Sequence, residues 1–301
     1  MLGATVPAHE RRAKFRELLA GDSIVQFPGA INPINAQIIE QTGFEGVYIS
    51  GGAFSAAMGL PDIGLTTLSE VAAHGRNIAR VTNLPTFIDA DTGWGEAMNV
   101  ARTVQEFEDA GISGMHLEDQ VNPKRCGHLD GKEVVSVQEM SKRISAAVGG
   151  RRDENFVICA RTDARAGEGL DKAIDRARAY ADAGADMIFP EAMKDLSEFE
   201  KFASAVDVPI LANMTEFGKS ELFTTEQLAN TGVKLVIYPV TTLRIAMGAI
   251  KRGLETIRAE GTQESLVDGM QTRADLYETI DYAAYNSFDT DIFNFSQEGH
   301  R

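Results

Sequence analysis

The chain has 301 residues, 44% hydrophobic and 24% charged, a soluble globular composition with room for one large α/β domain or two ordinary ones. Its formal net charge of −15 argues against nucleic acid or an anionic membrane as partner, although a few focused arginines can still hold a small anion. No apolar run approaches the roughly 18 residues of a membrane span, and the N-terminus places charges where a signal peptide needs an apolar core. Two cysteines, Cys126 and Cys159, give no disulfide framework, so a reducing cytoplasmic setting is expected.

A lead-in helix is expected at about 8–20. Short apolar runs then alternate with longer amphipathic stretches. The runs are IVQFPG (24–29), GVYISG (46–51), LPTFIDAD (84–91), GMHLED (114–119), NFVICARTD (155–163), ADMIFPE (185–191), VPILAN (208–213) and KLVIYP (234–239). Each is too short for a buried helix and rich in β-branched or aromatic residues, which predicts strands. Helical patterns lie between them at 68–81, 100–110, 170–183 and 196–206, and Gly43, Gly111 and Gly184 each stand just past a last turn. Eight such units without internal repeats predict one (β/α)8 barrel domain over 1–301, with a helical tail at about 241–301. An open doubly wound sheet is disfavoured, because no G-x-G-x-x-G follows the first run.

Seven of the eight runs finish on polar side chains: Ser50, Asp89 and Asp91, Glu118, Arg161, Glu191, Asn213 and Tyr238. Strand parity turns Tyr48 with Ser50, His116 with Glu118, and Cys159 with Arg161 toward the barrel interior. A polar ring at the carboxyl ends of barrel strands is where this architecture builds active sites. Asp89-x-Asp91 reads either as a site for a hard divalent cation or as a turn or helix cap; nearby Glu118 and Glu191 favour the cation, Mg²⁺ or Mn²⁺. Arg161 reads either as an ion pair with Asp163 or as a fork for a substrate carboxylate. Arg244 and Arg273, in helical surroundings, read as solvated. Cys159 reads as core filler, and His116 as a hydrogen-bonded barrel residue.

The segment from Asp119 to about Val137 is far longer than the usual βα loop of roughly 2–6 residues, and long loops at this face work as lids. It carries KRCGH, Lys124 to His128. Zinc lacks ligands here, since Cys126 and His128 make only two. Flanking cations lower a thiol pKa and suit Cys126 to proton transfer. The Gly-rich stretch from Ser50 has no P-loop pattern; its glycines let backbone N–H groups approach an anion.

Together, FPGAINPINA, IDADTGWG, HLEDQVNPKRCGH, ARTDA, FPEA, LANMTEFG, YPVTTLR and TRADLYE resemble the isocitrate lyase and phosphoenolpyruvate mutase superfamily over essentially the whole chain. The likeness is greatest to its methylisocitrate-cleaving branch. The resemblance implies a barrel whose last helix is exchanged between subunits of a homotetramer. It also implies Mg²⁺-dependent cleavage of the tricarboxylate 2-methylisocitrate to pyruvate and succinate. By the same resemblance, Asp89 and Asp91 hold the metal with Glu118 nearby. Ser50, Gly51, Gly52, Asp62, Cys126, Gly127, Arg161, Glu191, Asn213, Met214, Thr215, Arg244 and Arg273 bind substrate. Tyr48, Lys124, Cys126, His128, Arg161 and Glu118 serve catalysis, with Cys126 as proton donor and Tyr48 as a candidate base. Isocitrate lyases carry a similar lid but are longer, with tryptophan where Phe189 stands and a polar residue where Pro239 stands. Dimethylmalate cleavage shares the pattern. A Schiff-base aldolase would need a lysine at a strand end, and none of the eight runs supplies one. A silent carboxylate-binding relative would lack the acids or Cys126.

Overall fold

A computed structural model describes residues 3–125, 133–218 and 220–294. Every expected run contains a strand: β1 (Val25–Pro28), β2 (Val47–Ile49), β3 (Thr86–Asp89), β4 (Gly114–Glu118), β5 (Val157–Thr162), β6 (Met187–Pro190), β7 (Ile210–Asn213) and β8 (Val233–Tyr238). They pair in parallel in the order β1-β8-β7-β6-β5-β4-β3-β2. A bridge from Gly29 to Tyr48, with the Ala30 N–H donating to the Tyr48 carbonyl at 2.8 Å, brings β2 back to β1 and nearly closes the barrel.

The connecting helices start and stop where local chemistry dictates. Side-chain oxygens of Asn32, Thr67, Ser136, Asp195 and Thr224 accept from backbone N–H groups of first turns that lack partners within the helix. Gly111 and Gly184 follow the helices Ala97–Asp109 and Leu170–Asp182 with φ of +80° and +103°, a region costly for any residue with a Cβ.

Period-two alternation divides the core into two layers. Ile88, Met115 and Ile158 face outward and pack with Phe107 and Tyr180 of the surrounding helices. Phe27, Tyr48, Phe87, Cys159, Met187, Phe189 and Leu235 fill the barrel. The inward setting of Tyr48 and Cys159 follows the parity expectation, and His116 is fully buried beside them. The helix Ala8–Ala20 closes the amino-terminal end: Phe15 enters the interior, its ring 5.0 Å from Phe27 and 5.6 Å from Phe87. Arg11 and Arg12 of this helix donate to the carbonyls of Thr82, Ile112 and Glu108, at 2.8, 2.9 and 2.6 Å.

Two local expectations are revised. The Gly-rich stretch is not a loop at its start; Gly51–Ala57 is a helix whose Ala53 N–H donates to the Ser50 side chain at 3.2 Å. Asp91 lies two residues beyond β3 at φ 44°, so it and Asp89 meet through a turn rather than through strand pleat. The tail is helical, over Thr241–Glu260, Glu264–Gly269, Arg273–Thr279 and Tyr282–Phe293, yet no residue of Thr241–Glu260 is buried. Ile245, Ile250, Leu254 and Ile257 of that helix are exposed apolar side chains.

Phe15→Ala would empty the plug of the barrel. Equilibrium urea unfolding should show a loss of about 3–5 kcal/mol; a loss below about 1 kcal/mol would mean that the helix Ala8–Ala20 contributes little to the core.

Candidate active site

A cavity opens at the carboxyl ends of the strands, lined from below by Tyr48, Asp89, Arg161 and Phe189. Ser50, Gly52, Asp62, Glu191, Asn213, Thr215 and Arg244 complete much of its wall, with Ile237 and Pro239 on the apolar side. Ten of the residues singled out from the sequence therefore meet in one cavity: Tyr48, Ser50, Gly52, Asp62, Asp89, Arg161, Glu191, Asn213, Thr215 and Arg244.

Backbone register sets the geometry. Asp89 pairs with His116, and Glu118 with Arg161, which pairs in turn with Phe189. The Arg161 Nε lies 2.9 Å from Asp163 and 3.2 Å from Glu118, its Nη2 lies 3.7 Å from Glu191, and its guanidinium sits 5.0 Å from the centre of the Phe189 ring. The ion-pair reading of Arg161 holds, since it is paired to Asp163, and the same side chain lines the cavity. Burial opposes its charge, but Asp163, Glu118 and Glu191 outweigh this and raise its pKa further.

Asp89 accepts from the Gly51 N–H at 3.2 Å and the Asp91 N–H at 3.0 Å. The next helix begins at Ala97 after Glu96, so neither aspartate caps it. A Cβ on Gly51 would come within 2.9 Å of Asp89 Oδ2, which explains glycine at that position. Burial pushes the Asp89 carboxyl up, yet His116, Lys124 and Arg161 bring it below its ordinary value. Asp91 is pushed up to about 6 by burial and by Asp89, against the pull of Lys124. Burial raises Glu118 well above the carboxylate range despite Arg161.

Lys124 is itself buried, with Nζ 2.6 Å from Asp91 and in an ion pair with Asp62. Burial works against its charge, but Glu118, Asp91, Asp89 and Asp62 raise its pKa overall. Tyr48 places its hydroxyl 2.7 Å from His116 Nε2, and His116 Nε2 lies 3.7 Å from Asp89. Burial and Asp89 raise the Tyr48 pKa well above the phenol value, and burial lowers His116 to about 4, so both are neutral at pH 7.

The oxygens of Asp89, Asp91 and Glu118 suit a hard cation such as Mg²⁺. Glu118 Oε1 is buried without a hydrogen-bond partner among the described residues, and a cationic group, Lys124 Nζ, already sits among these acids. As they stand, no three His, Cys, Asp or Glu side chains among the described residues are grouped to hold a metal, so water or substrate oxygens would have to complete the shell.

Other sequence-derived residues fall elsewhere. The Met214 side chain is buried with the outer core and does not line the cavity. Arg273 starts the helix Arg273–Thr279, is exposed, and does not line the cavity of its own chain. Cys126, Gly127 and His128 lie outside the described residues. Among the cavity residues that escaped the reading of the sequence, two meet Arg244. Glu216 accepts from Arg244 at 3.0 Å and pairs with Thr241. Phe217 holds φ 60° and places its ring 5.2 Å from the Arg244 guanidinium. The only signal was their place in LANMTEFG, directly after a polar strand end. Asp119 was also passed over: it accepts from Thr162 and Tyr180, each at 2.8 Å, and from the Asp163 N–H at 2.9 Å.

Comparison with known proteins places these features in context. Residues 15–258 match the family described as phosphoenolpyruvate phosphomutase. The chain is 57% identical over 301 residues to probable 2-methylisocitrate lyase 2 of Corynebacterium glutamicum, covering 100% of this chain and 98% of that protein. It is 48% identical over 283 residues to 2-methylisocitrate lyase of Aeropyrum pernix, covering 94% and 91%. Among solved structures, oxaloacetate acetylhydrolase with 3,3-difluorooxalacetate superposes with TM-score 0.90 at 33% identity, covering 96% and 99%. For 2,3-dimethylmalate lyase the TM-score is 0.89 at 29% identity, covering 99% of each chain. Phosphonopyruvate hydrolase with oxalate and Mg²⁺ gives 0.84 at 29%, covering 93% and 98%.

The setting of His116 has a measurable consequence. Its pKa in the fold is about 4 against 6.5 unfolded, so the unfolded chain binds the extra proton between these values. The stabilisation from neutral His116 is complete above pH 6.5 and is lost as pH falls toward 4. Urea unfolding of wild type and His116→Gln should show their free-energy difference shrinking by about 2 kcal/mol from pH 7 to pH 5. Asp91 titrates in both proteins and largely cancels. A difference independent of pH would contradict the neutral, buried assignment.

Proposed function

The chain belongs to the phosphoenolpyruvate phosphomutase family, and from that premise we propose that it cleaves 2-methylisocitrate to pyruvate and succinate. The observation that carries this reading is the convergence of Asp89, Arg161, Glu191 and Asn213 from four strand ends on one cavity. Near-full-length identity to relatives named as 2-methylisocitrate lyases supports it. So does the apolar wall of Phe189, Ile237 and Pro239, which suits an added methyl group. Such a wall discriminates one methyl by about 1–3 kcal/mol.

Asp89 and Asp91, with Glu118 behind them, would hold Mg²⁺, a reading supported by the Mg²⁺ complex of phosphonopyruvate hydrolase. Bound there, the ion supplies Lewis acidity to a 2-hydroxy acid and lowers the pKa of its hydroxyl. The chain's own groups do the rest. Burial keeps the Tyr48 phenol neutral, so it can act as a base only by handing its proton to His116, 2.7 Å away, as it takes the proton of the hydroxyl. The C2–C3 bond then breaks, and its electron pair passes into the carboxylate of the departing succinate fragment. Arg161 and Arg244 offset that charge from the cavity wall. Cys126 gives its thiol proton to the carbon, leaving a thiolate. Arg273 and Met214 enter the substrate set by family likeness alone.

The exposed apolar stripe of Thr241–Glu260 supports a second part of the proposal: the helix is exchanged onto a neighbouring copy in a homotetramer. A cytoplasmic location accords with the two cysteines and with the lack, among the described residues, of a helix long and apolar enough to cross a membrane.

Pyruvate release should be fastest with 2-methylisocitrate, slower with isocitrate and 2,3-dimethylmalate, and abolished by EDTA. Faster release from dimethylmalate would favour that substrate instead, consistent with the resemblance to its lyase. Cys126→Ser should lower kcat by about 10²–10⁴-fold at saturating Mg²⁺; near-normal turnover would remove Cys126 from the proton transfer. Leu254→Glu should shift the mass seen by light scattering below that of a tetramer, and an unchanged mass would exclude the helix from the interface.

A further inference from the structure

Lys124 is 4% exposed and stands where two stretches of chain meet: Asp62, between the helices Gly51–Ala57 and Leu68–Ala79, and Asp91, beyond β3. Its Nζ pairs with Asp62 and lies 2.6 Å from Asp91 Oδ1, an oxygen that a cation on Asp91 would need. Asp89 and Glu118 complete the acidic surround, and Glu118 Oε1 is buried with no hydrogen-bond partner among the described residues. An ammonium and a divalent ion cannot share that position: both are cations, and they would compete for the same lone pairs. The cluster therefore already holds a positive charge, and that charge is tethered to the chain.

We infer that Lys124 is a built-in surrogate for the divalent ion, which holds the acids together in the metal-free protein and must leave Asp91 for the ion to bind. This rests on the metal reading above and adds to it that metal binding and release of Lys124 are a single exchange. Metal affinity is then set below what the acids alone would give. Lys124 also acts as a positioning residue, since it keeps Asp62 and Asp91 together until the ion arrives.

Mn²⁺ binding, followed by electron paramagnetic resonance of the free ion and by calorimetry without substrate, tests the exchange. Lys124→Gln should bind Mn²⁺ at least tenfold more tightly than wild type. Lys124→Met, which keeps the apolar stem, should do the same and stands in if the glutamine variant does not fold. Arg125→Gln removes a neighbouring but exposed charge and should change affinity less than twofold, which separates displacement from a general field effect. Asp91→Asn should abolish tight binding. Equal or weaker binding by both Lys124 variants, with Asp91→Asn still defective, would overturn the exchange while leaving the metal site intact. An equal gain in Arg125→Gln would also overturn it. Wild type without saturable Mn²⁺ binding, or indifferent to Asp91→Asn, would overturn the metal reading and the exchange together.

Discussion

Everything at the mouth of this barrel depends on one constraint: charges buried on neighbouring strands must balance. Asp89, Asp91, Glu118, Asp163 and Glu191 are each at most 7% exposed, and among the described residues the cations buried against them include Arg161 and Lys124. Removing such a charge from water is costly unless opposite charges and hydrogen bonds replace the solvent. The parallel register supplies the opposition directly, since Glu118 and Arg161 are Cα partners on β4 and β5. Arg161 and Arg244 line the cavity beside these acids.

Outside that layer, a second set of polar groups holds the first in place. Asp119 receives the Thr162 and Tyr180 hydroxyls and the Asp163 N–H, which fixes the backbone from which Asp163 grips Arg161. Arg176 donates to the Val135 carbonyl at 2.8 Å and to Tyr180 at 3.1 Å, so the chain entering the helix Val137–Gly150 is anchored to the same group. A side chain held by a forked ion pair over an aromatic face loses little further freedom when a ligand arrives, the usual source of pre-organised binding.

The barrel was legible in the sequence because its two periodicities are strong. Apolar runs of strand length alternate with amphipathic stretches, and parity along β2, β4 and β5 correctly set Tyr48, His116 and Cys159 inside. Asp89, Arg161, Glu191 and Asn213 were legible because polar ends on apolar runs stand out. What stayed hidden depends on approach in space. Lys124 sits 33 residues after Asp91 in sequence yet touches it, and nothing local in KRCGH says that its lysine is buried. Glu216 meets Arg244 only because the chain beyond β7 folds over the start of the helix Thr241–Glu260. Asp91 looked like a strand residue because D-x-D fits a pleat, but its backbone is left-handed at φ 44° and its N–H turns back onto Asp89. The apolar stripe of the last long helix resembles any core-facing helix until the fold shows that no core of its own chain covers it.

The seam between β1 and β8 has a consequence for how the molecule comes into being. Val25 pairs with Leu235, so the first strand made waits for the last before it gains its second neighbour. On a ribosome, β1 and the helix Ala8–Ala20 emerge long before the strand that completes the ring. Until then β1 presents an unpaired edge, and the plug around Phe15 has only part of its socket. Contacts so distant along the chain slow folding and leave sticky intermediates in the interval. The longest-lived hazard for this protein is therefore the period of its synthesis, when seven strands are waiting for the eighth.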